Sequence, residues 1–297
     1  MKSHITVYHY DAFSNIPNKG NPAGVVLCEV PLTEHQMQII AYNVGFNETV
    51  FIMKSDMADV KLKYFTPGHE INLCGHATIA SLYCLKTRGL LGEKDHILIE
   101  TNVGVLAISF SNENTKLLIE MNQSSPMFQP FTGDLNRLAQ TLGISINDID
   151  QSKPIVYGST GTWTLLIPII QLDAFKRMIP RNNDFPQVLI DNPRASIHPF
   201  SLETKNTGTF MHARHFSSPF SGTIEDPVTG TASAVMGAYY LTYINKESDH
   251  TTFIVEQGQE IGRDGRVIVS AKRTNDKIDV SIKGTAVFVK EMYILLQ

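Results

Sequence analysis

The sequence has no hydrophobic run long enough to span a bilayer. Its longest apolar run, 165–170, falls far short of the roughly 20 residues that a membrane helix needs. The N-terminal segment also lacks the apolar core of a signal peptide. These two absences predict a cytoplasmic protein without a membrane partner.

Cysteine is also scarce. The three cysteines, Cys28, Cys74 and Cys84, are an odd set without a C-x-x-C spacing, which fits reduced thiols better than a disulfide framework or a zinc site. The ten histidines are scattered and show no H-E-x-x-H or similar ligand spacing. The spacing of these residues therefore predicts no metal site.

A basic patch is missing as well. The 25 Lys and Arg against 29 Asp and Glu give a formal net charge of −4, which offers no electrostatic attraction for nucleic acid. What is present is typical of a soluble globular protein: 297 residues, 42% of them hydrophobic, can bury a sizeable core. This length suits two ordinary domains or one large α/β domain.

The stretch 226–232, Asp-Pro-Val-Thr-Gly-Thr-Ala, leads into residues that are apolar on nearly every side, which predicts a buried helix. The leading N–H groups of a helix lack intrahelical partners and carry partial positive charge. Small residues there, Gly230, Thr231 and Ala232, let an anion approach these amides. A core helix with a well-capped start is the alternative, and this stretch alone leaves both open.

The chain contains a second copy of this pattern about half its length away. Residues 74–77 (Cys-Gly-His-Ala) match 229–232 (Thr-Gly-Thr-Ala), and each follows a strand, an acidic residue and a turn and precedes an apolar helix. Such a match is what a duplicated domain leaves behind. It predicts two similar α/β halves, each wrapped around one central helix.

The expected elements fit this division. A Ser/Pro-rich loop, Asn122 to Pro126, is the predicted boundary, giving a first half of 1–122, which the final strand at 285–297 can complete, and a second half of 123–284. Strands are expected at 5–13, 23–28, 46–53, 60–65, 97–110, 116–121, 155–157, 162–169, 208–216, 253–270 and 285–296. One helix is expected to begin at the capping box Thr33–Gln36 and to end at Gly45. Further helices are expected at 78–88, 135–142 and 173–179, and the stretch 180–199 has no assignment.

Glu48 is the only charged residue of the strand at 46–53. A carboxylate there can be an ordinary solvated strand end. Enclosed by apolar neighbours, it would instead have a raised pKa and could both accept and donate protons near neutral pH. The residues alone leave both interpretations open.

The two helix starts would face each other across a cleft if a pseudo-twofold axis relates the halves. That arrangement suits a small anion such as a substrate carboxylate. The alternative is that both turns simply begin buried helices, and two matching glycine turns count against it.

Five motifs follow one another between about residue 10 and about residue 270: Gly20–Ala23, Asn47–Thr49, Phe65–Thr78, Glu225–Ala232 and Glu256–Gly258. Together they resemble the phenazine-biosynthesis isomerase (PhzF-like) family. The resemblance implies the diaminopimelate epimerase fold: α/β (α+β), with two pseudo-twofold-related domains, each a barrel-like, mostly antiparallel sheet around a central helix. The active site is then expected in the cleft between them.

The resemblance also implies roles for individual residues. Glu48 becomes the general acid/base that takes a proton from one substrate carbon and returns it to another. Gly75 and His76 on one side, and Gly230 and Thr231 on the other, are expected to hold the substrate carboxylate and polar groups.

Asp226 is expected to join Glu48 and His76 in catalysis, by binding a substrate amine or hydroxyl or by positioning His76. The resemblance implies no metal, no organic cofactor and a small carboxylate as substrate. Members of the family are often dimeric, so a homodimer is one option. The best-known member isomerises a dihydro-hydroxyanthranilate, which does not transfer a substrate to this chain.

Two positions depart from related motifs. Thr231 stands where the phenazine enzyme has Ser, which keeps a hydroxyl but adds a methyl group. Cys74 occupies the place of one of the two catalytic thiols of the related epimerases, whereas the partner position is Thr229, so a two-cysteine mechanism is not available. Cys74 is left with an inert packing role, a contact to substrate, or a mixed pair with Glu48.

Three functions follow. The first is a cofactor-independent isomerase acting through Glu48. The second is an amino-acid-type epimerase or racemase that also needs Cys74. The third is a carboxylate-binding protein without turnover.

Overall fold

The computed structural model describes residues 4–275 and 277–296. The strands are β1 His4–Ala12, β2 Asn21–Leu27, β3 Glu48–Met53, β4 Val60–Phe65, β5 Glu70–Ile71, β6 His96–Thr101, β7 Gly104–Glu113, β8 Lys116–Asn122, β9 Met127–Pro130, β10 Val156–Ser159, β11 Trp163–Pro168, β12 Ser196–Ser201, β13 Met211–Ala213, β14 His250–Gln257, β15 Gly265–Thr274, β16 Lys277–Gly284 and β17 Ala286–Leu295. The α-helices are α1 Glu34–Val44, α2 Gly75–Thr87, α3 Leu135–Leu142, α4 Leu172–Arg177, α5 Phe185–Val188 and α6 Gly230–Tyr239. Among the described residues, no helix combines the length and apolarity needed to cross a membrane.

The chain forms two compact units. Of the described residues, those up to Met121 and those from Lys283 onward make up the first unit, and Asn122 to Ile282 make up the second.

The first unit is a mostly antiparallel sheet around α2. Its strands pair in the order β17-β1-β2-β3-β4-β6-β7-β8, with β5 also on β4. Of these pairs, β2–β3 and β4–β6 are parallel and the others antiparallel. Nine of the thirteen residues of α2 are buried, so sheet and loops surround the helix on nearly every side. It packs on β1, β2, β3 and β17.

The second unit repeats this plan around α6. Its strands pair in the order β9-β10-β11-β12-β13-β14-β15, and the β11–β12 and β13–β14 pairs are parallel. Nine of the ten residues of α6 are buried. The helix approaches the strands closely: a Cβ on Gly237 would lie 2.6 Å from Val269 Cγ1, and one on Gly158 of β10 would lie 2.4 Å from Val235 Cγ1.

These observations confirm the predicted fold class of two α/β units, each a mostly antiparallel sheet around a buried helix. The capping box at Thr33 is present, and Gly45 ends α1 in the left-handed conformation. Helix α2 begins at Gly75 rather than at Thr78. The stretch 180–199 contains α5 and the start of β12.

The strand expected at 208–216 was too long, because only Met211–Ala213 belong to a ladder. Arg214 leaves the ladder to bind the carboxylate of Glu225 through two nitrogens, at 2.9 and 2.6 Å. Thr209 instead donates to the Glu256 carboxylate. The carboxylates of Glu256 and Glu225 therefore limit this strand at its two ends.

Candidate active site

Glu48 is the first residue of β3, and the parallel register places it opposite Ala23 of β2. Two of the motifs singled out in the sequence, 20–23 and 47–49, are thus neighbours in the sheet. Gly20 has a φ of 71°, and a Cβ there would lie 2.2 Å from the Ala12 carbonyl oxygen, so the turn into β2 requires glycine. This turn fixes the strand against which Glu48 is aligned.

Cys74 and His76 lie at the start of α2. Cys74 is the N-cap residue, and its side chain makes no capping hydrogen bond. His76 is only 6% exposed. Its Nε2 lies 3.2 Å from Glu48 Oε2, and its Nδ1 lies 3.3 Å from Cys74 Sγ. The imidazole therefore stands between the carboxylate and the sulfur.

Burial and neighbouring charges set the pKa values of His76 and Cys74. Burial alone would lower the pKa of His76, but the Cys74 sulfur and the Glu48 carboxylate outweigh it and hold that pKa well above its usual range. Burial also raises the pKa of the Cys74 thiol, and the nearby Glu48 charge raises it further. Burial thus favours the neutral thiol of Cys74, and the Cys74 sulfur and the Glu48 carboxylate together favour the protonated form of His76.

The surroundings of Glu48 match neither of the two sequence interpretations in full. The residue is half-buried, yet its Oε2 is buried and accepts no hydrogen bond within the described residues, because the contact with His76 is close without being aligned. Glu48 is therefore more than a solvated strand end.

Glu48, Cys74 and His76 each offer a metal-ligating atom, and these atoms all lie within 4.8 Å of one another. A search for ligands at short sequence spacing misses this group because Glu48 comes from a different strand. The fold, rather than a local motif, brings the three together.

In the second unit, Asp226 lies in the turn that precedes α6. Its Oδ2 accepts a hydrogen bond from Thr229 Oγ1 at 2.6 Å. Thr229 is the N-cap residue of α6, and because its hydroxyl points to Asp226 it does not cap the helix. Thr33 and Asp134, by contrast, cap α1 and α3 with their side chains.

Gly230 and Thr231 are the first two residues of α6, so the predicted helix start is where the sequence put it. Gly230 is buried and Thr231 is half-buried. Thr160 Oγ1 donates to the Thr231 carbonyl oxygen at 3.1 Å, which ties this first turn to the end of β10. Gly75 opens α2 in the same way.

Gln257 at the end of β14 organises the turn before α6, a role that sequence reasoning missed. Its Nε2 donates to the Asp226 carbonyl oxygen at 2.8 Å and to Thr229 Oγ1 at 3.2 Å, and its Oε1 accepts from the Thr229 amide at 3.2 Å. The following Gly258 has a φ of 93°, and a Cβ there would lie 2.7 Å from the Pro227 carbonyl oxygen. The motif at 256–258 was visible in the sequence, but its contact with the turn depends on the sheet.

Comparison with known proteins agrees with this fold. Residues 10–292 match the family model described as phenazine biosynthesis-like protein. The chain is 52% identical over 282 residues to the protein named uncharacterized isomerase YfhB of Bacillus subtilis (strain 168), with 95% of this chain and 96% of that protein covered.

Two crystal structures extend the comparison. A Bacillus anthracis phenazine biosynthesis protein of the PhzF family matches with a TM-score of 0.97 and 53% identity, covering 99% of this chain and 100% of that one. A hydroxyproline epimerase from Agrobacterium vitis matches with a TM-score of 0.65 at 10% identity, covering 99% and 93%, which is a likeness of fold alone.

The family match and the relatives named isomerases define a protein of an isomerase type. The chain belongs to the phenazine biosynthesis-like (PhzC-PhzF) family, which confirms the resemblance found in the sequence.

Proposed function

We propose that this protein is a cofactor-independent isomerase that moves a proton within a small carboxylated substrate, with Glu48 as general acid/base. The observation that carries the proposal is the contact between Glu48 and a buried, protonated His76 at the start of α2. The Oε2 oxygen of Glu48 accepts no hydrogen bond within the described residues, so it has a lone pair available for a substrate proton.

In the reaction, Glu48 removes a proton from a substrate carbon next to an electron-withdrawing group. The C–H bond breaks, its electron pair enters the conjugated system of the substrate, and an O–H bond forms on Glu48. When the proton returns to a different carbon, the double bond has shifted and Glu48 is again a carboxylate. Atoms and electrons balance without an outside oxidant or reductant.

His76 supplies the positive charge for this step. Negative charge that develops on the substrate is stabilised by a protonated imidazole held in a buried setting, where electrostatic interactions are strong. The first turn of α2, whose N-cap residue Cys74 makes no capping hydrogen bond, adds backbone N–H donors at Gly75 and its neighbours. Together they favour binding of a carboxylate or an enolate oxygen.

The second unit is assigned the remaining polar contacts. We assign Gly230 and Thr231 to substrate groups because α6 also begins without a side-chain cap. Asp226, which Gln257 and Thr229 hold in its turn, is assigned to a substrate amine or hydroxyl. That both helix starts serve one substrate stays a prediction.

An epimerase that uses Cys74 with Glu48 is the alternative chemistry. It requires a thiolate, whereas burial raises the pKa of Cys74. We therefore assign Cys74 to packing and substrate contact. A Cys74→Ala variant that keeps its fold and its turnover supports this assignment, and loss of turnover with an intact fold would favour the thiol mechanism.

Deuterium uptake from heavy water tests the proposal. Wild type and Glu48→Gln are incubated with a panel of small carboxylates, including dihydro-hydroxyanthranilate and several amino acids, and uptake is located by NMR. Uptake that disappears in Glu48→Gln supports the isomerase, and the labelled carbon separates isomerisation from epimerisation. No uptake, together with tight binding of one compound that Glu48→Gln leaves unchanged, would overturn it in favour of a carboxylate-binding protein.

A further inference from the structure

Two buried histidines lie beside the Asp226 turn of the second unit. His198 belongs to β12, and His215 follows β13 two residues after its end. Their Nδ1 atoms are 3.2 Å apart, and His198 Nε2 lies 3.1 Å from the sulfur of Met236 in α6. The two rings therefore form a chain of contacts that runs from the central helix to His215.

Both rings are neutral at neutral pH. Burial lowers the pKa of His198 well below its usual value, and the neighbouring His215 lowers it further. Burial also lowers the pKa of His215, although the charge of Asp226 offsets part of this effect. Each neutral ring has one N–H group and one nitrogen with a free lone pair.

The partners of the rings decide which nitrogen carries the hydrogen. A thioether sulfur accepts a hydrogen bond but has no hydrogen to donate, so His198 carries its hydrogen on Nε2, beside Met236. His198 Nδ1 is then an acceptor, and the hydrogen between the two rings is on His215 Nδ1. This leaves His215 Nε2 as a hydrogen-bond acceptor.

His215 is also next to the residue that is assigned to the substrate. Its carbonyl oxygen accepts a hydrogen bond from the Asp226 amide at 3.0 Å, and the charge of Asp226 acts on its ring. His215 is 9% exposed, whereas His198 is fully buried. Within the part of the chain that the structure describes, no group donates a hydrogen bond to His215 Nε2.

We propose that His215 is a specificity-determining residue whose Nε2 accepts a hydrogen bond from the substrate amine or hydroxyl assigned to Asp226, and that His198 is the positioning residue that holds His215 in the accepting tautomer. This inference rests on the proposed function, because it names the group that the same site selects. The Asp226 carboxylate and the His215 nitrogen both accept hydrogen bonds, so together they favour a donor group and disfavour a carbonyl or carboxylate oxygen.

NMR of ¹⁵N-histidine-labelled protein at neutral pH tests the tautomers, because two-bond ¹H–¹⁵N correlations distinguish them. In wild type we expect hydrogen on Nε2 of His198 and on Nδ1 of His215. His198→Asn keeps an acceptor oxygen near the position of Nδ1 and should preserve the His215 tautomer, whereas His198→Leu should lose this preference. A hydrogen on Nε2 of wild-type His215 overturns the proposal, whether or not the variants fold.

Binding of two matched pairs of probes tests the selectivity. The pairs are anthranilate with benzoate and phenylalanine with 3-phenylpropanoate, and the members of each pair differ by one amine. Calorimetry should show that wild type binds the amine member of at least one pair about tenfold or more tightly than its partner. His215→Asn keeps an amide near Nδ1 but removes the Nε2 acceptor, so this ratio should fall towards one. His250→Asn, at an exposed position, is the matched control and should keep the ratio.

Two further variants separate the role in recognition from a role in packing. His215→Gln can place an amide oxygen near the position of Nε2 and should restore part of the ratio. The ratio should also fall in His198→Leu, which replaces His215→Asn as the test if that variant does not fold. Wild type without an amine preference in either pair, including one that binds none of the four probes, overturns the proposal, as does a preference that both variants leave unchanged.

Equilibrium binding does not depend on turnover, so the two proposals can fail separately. An amine preference that His215→Asn removes, in a protein without deuterium uptake, would reject the isomerase and keep the role of His215. Deuterium uptake that Glu48→Gln abolishes, without an amine preference, would reject the role of His215 alone.

Discussion

His76 Nε2 lies 3.2 Å from Glu48 Oε2. His76 is the second residue of α2, and Glu48 is the first residue of β3. This contact brings together the proposed base, Glu48, and the proposed cation, His76, within the first unit. Its charge state is the first thing to measure.

Replacing Glu48 with Gln should lower the pKa of His76, because the Cys74 sulfur and the Glu48 carboxylate together raise that pKa and the variant removes the second of them. NMR titration of ¹³C-labelled histidine follows the ring directly. The raised pKa in the folded state means that the contribution of His76 to stability is complete below the unfolded value and is lost as pH rises through the folded value. Proton-transfer activity should fall over that same alkaline range.

Glu100→Gln is the control for this titration, because Glu100 pairs with Lys61 away from His76. It should leave the His76 titration in place. An equal pKa in wild type and Glu48→Gln would contradict the assigned ion pair.

Gln257→Ala should reduce kcat by about tenfold or more, since a displacement of about 1 Å in a reacting group can cost a hundredfold. The side chain positions the Asp226 turn through three contacts, and their loss should also cost about 1–3 kcal/mol of stability. Kinetics and urea denaturation measure the two effects. Gln257→Glu keeps the shape but cannot donate to the Asp226 carbonyl oxygen, so it should not rescue activity.

The matched control is Gln259→Ala, which removes a hydrogen bond to Asp264 instead. It should keep near-normal kcat. If both variants lose activity to the same extent, or if Gln257→Glu is fully active, Gln257 has no positioning role.

Gly237→Ala should destabilise the second unit by about 1–3 kcal/mol, because the added methyl would lie 2.6 Å from Val269 Cγ1 and 3.2 Å from Ala271 Cβ. Chemical denaturation measures the change. Gly68→Ala, where the nearest atom lies at 3.9 Å, is the comparison and should be close to neutral. Equal stabilities would show that α6 can move away from β15 without cost.

Glu256→Gln should flatten the acid side of the stability profile. Glu256 is fully buried and accepts from His212 Nδ1 at 2.9 Å and from the Lys205 amide at 2.6 Å. Burial would raise its pKa, but these contacts lower it to about 2. A lowered folded pKa gives stability that is present above the unfolded value of 4.5 and is lost as pH falls towards about 2.

Urea denaturation between pH 2 and 7 provides the measurement. The variant should lose about 3 kcal/mol at neutral pH. It should keep part of the acid dependence, because the pKa of Glu260, which also faces His212, is lowered to about 2 as well. Glu93→Gln, at an exposed position, should leave the profile unchanged; a similar flattening there would contradict the prediction.

Local signals predicted the elements they control. The capping box at Thr33 and the glycine at 45 set the two ends of α1 as expected, because their hydrogen bonds and backbone angles are settled within a few residues. The strand at 208–216 was predicted too long, since the contacts that interrupt it span 11 residues from Arg214 to Glu225 and 47 from Thr209 to Glu256, beyond any local pattern.

The candidate site also has features that local sequence signals predict and features that depend on long-range contacts. The two helix starts were predicted because a motif repeats, and Glu48 was proposed as a site residue because of a family resemblance. The contact of His76 with both Glu48 and Cys74, and the hold of Gln257 on the Asp226 turn, depend on which strands become neighbours. The periodicity of the sequence does not predict which strands become neighbours.

The pairing of β17 with β1 also dictates an order of assembly during synthesis. Nine residues of β1 pair with β17, so the first unit can complete its sheet only when β17 has left the ribosome. The second unit is translated before that point. Until then, β1 keeps the backbone N–H and C=O groups of this edge unpaired with β17. A nascent chain stalled before residue 286 would therefore expose an edge strand that is prone to aggregation.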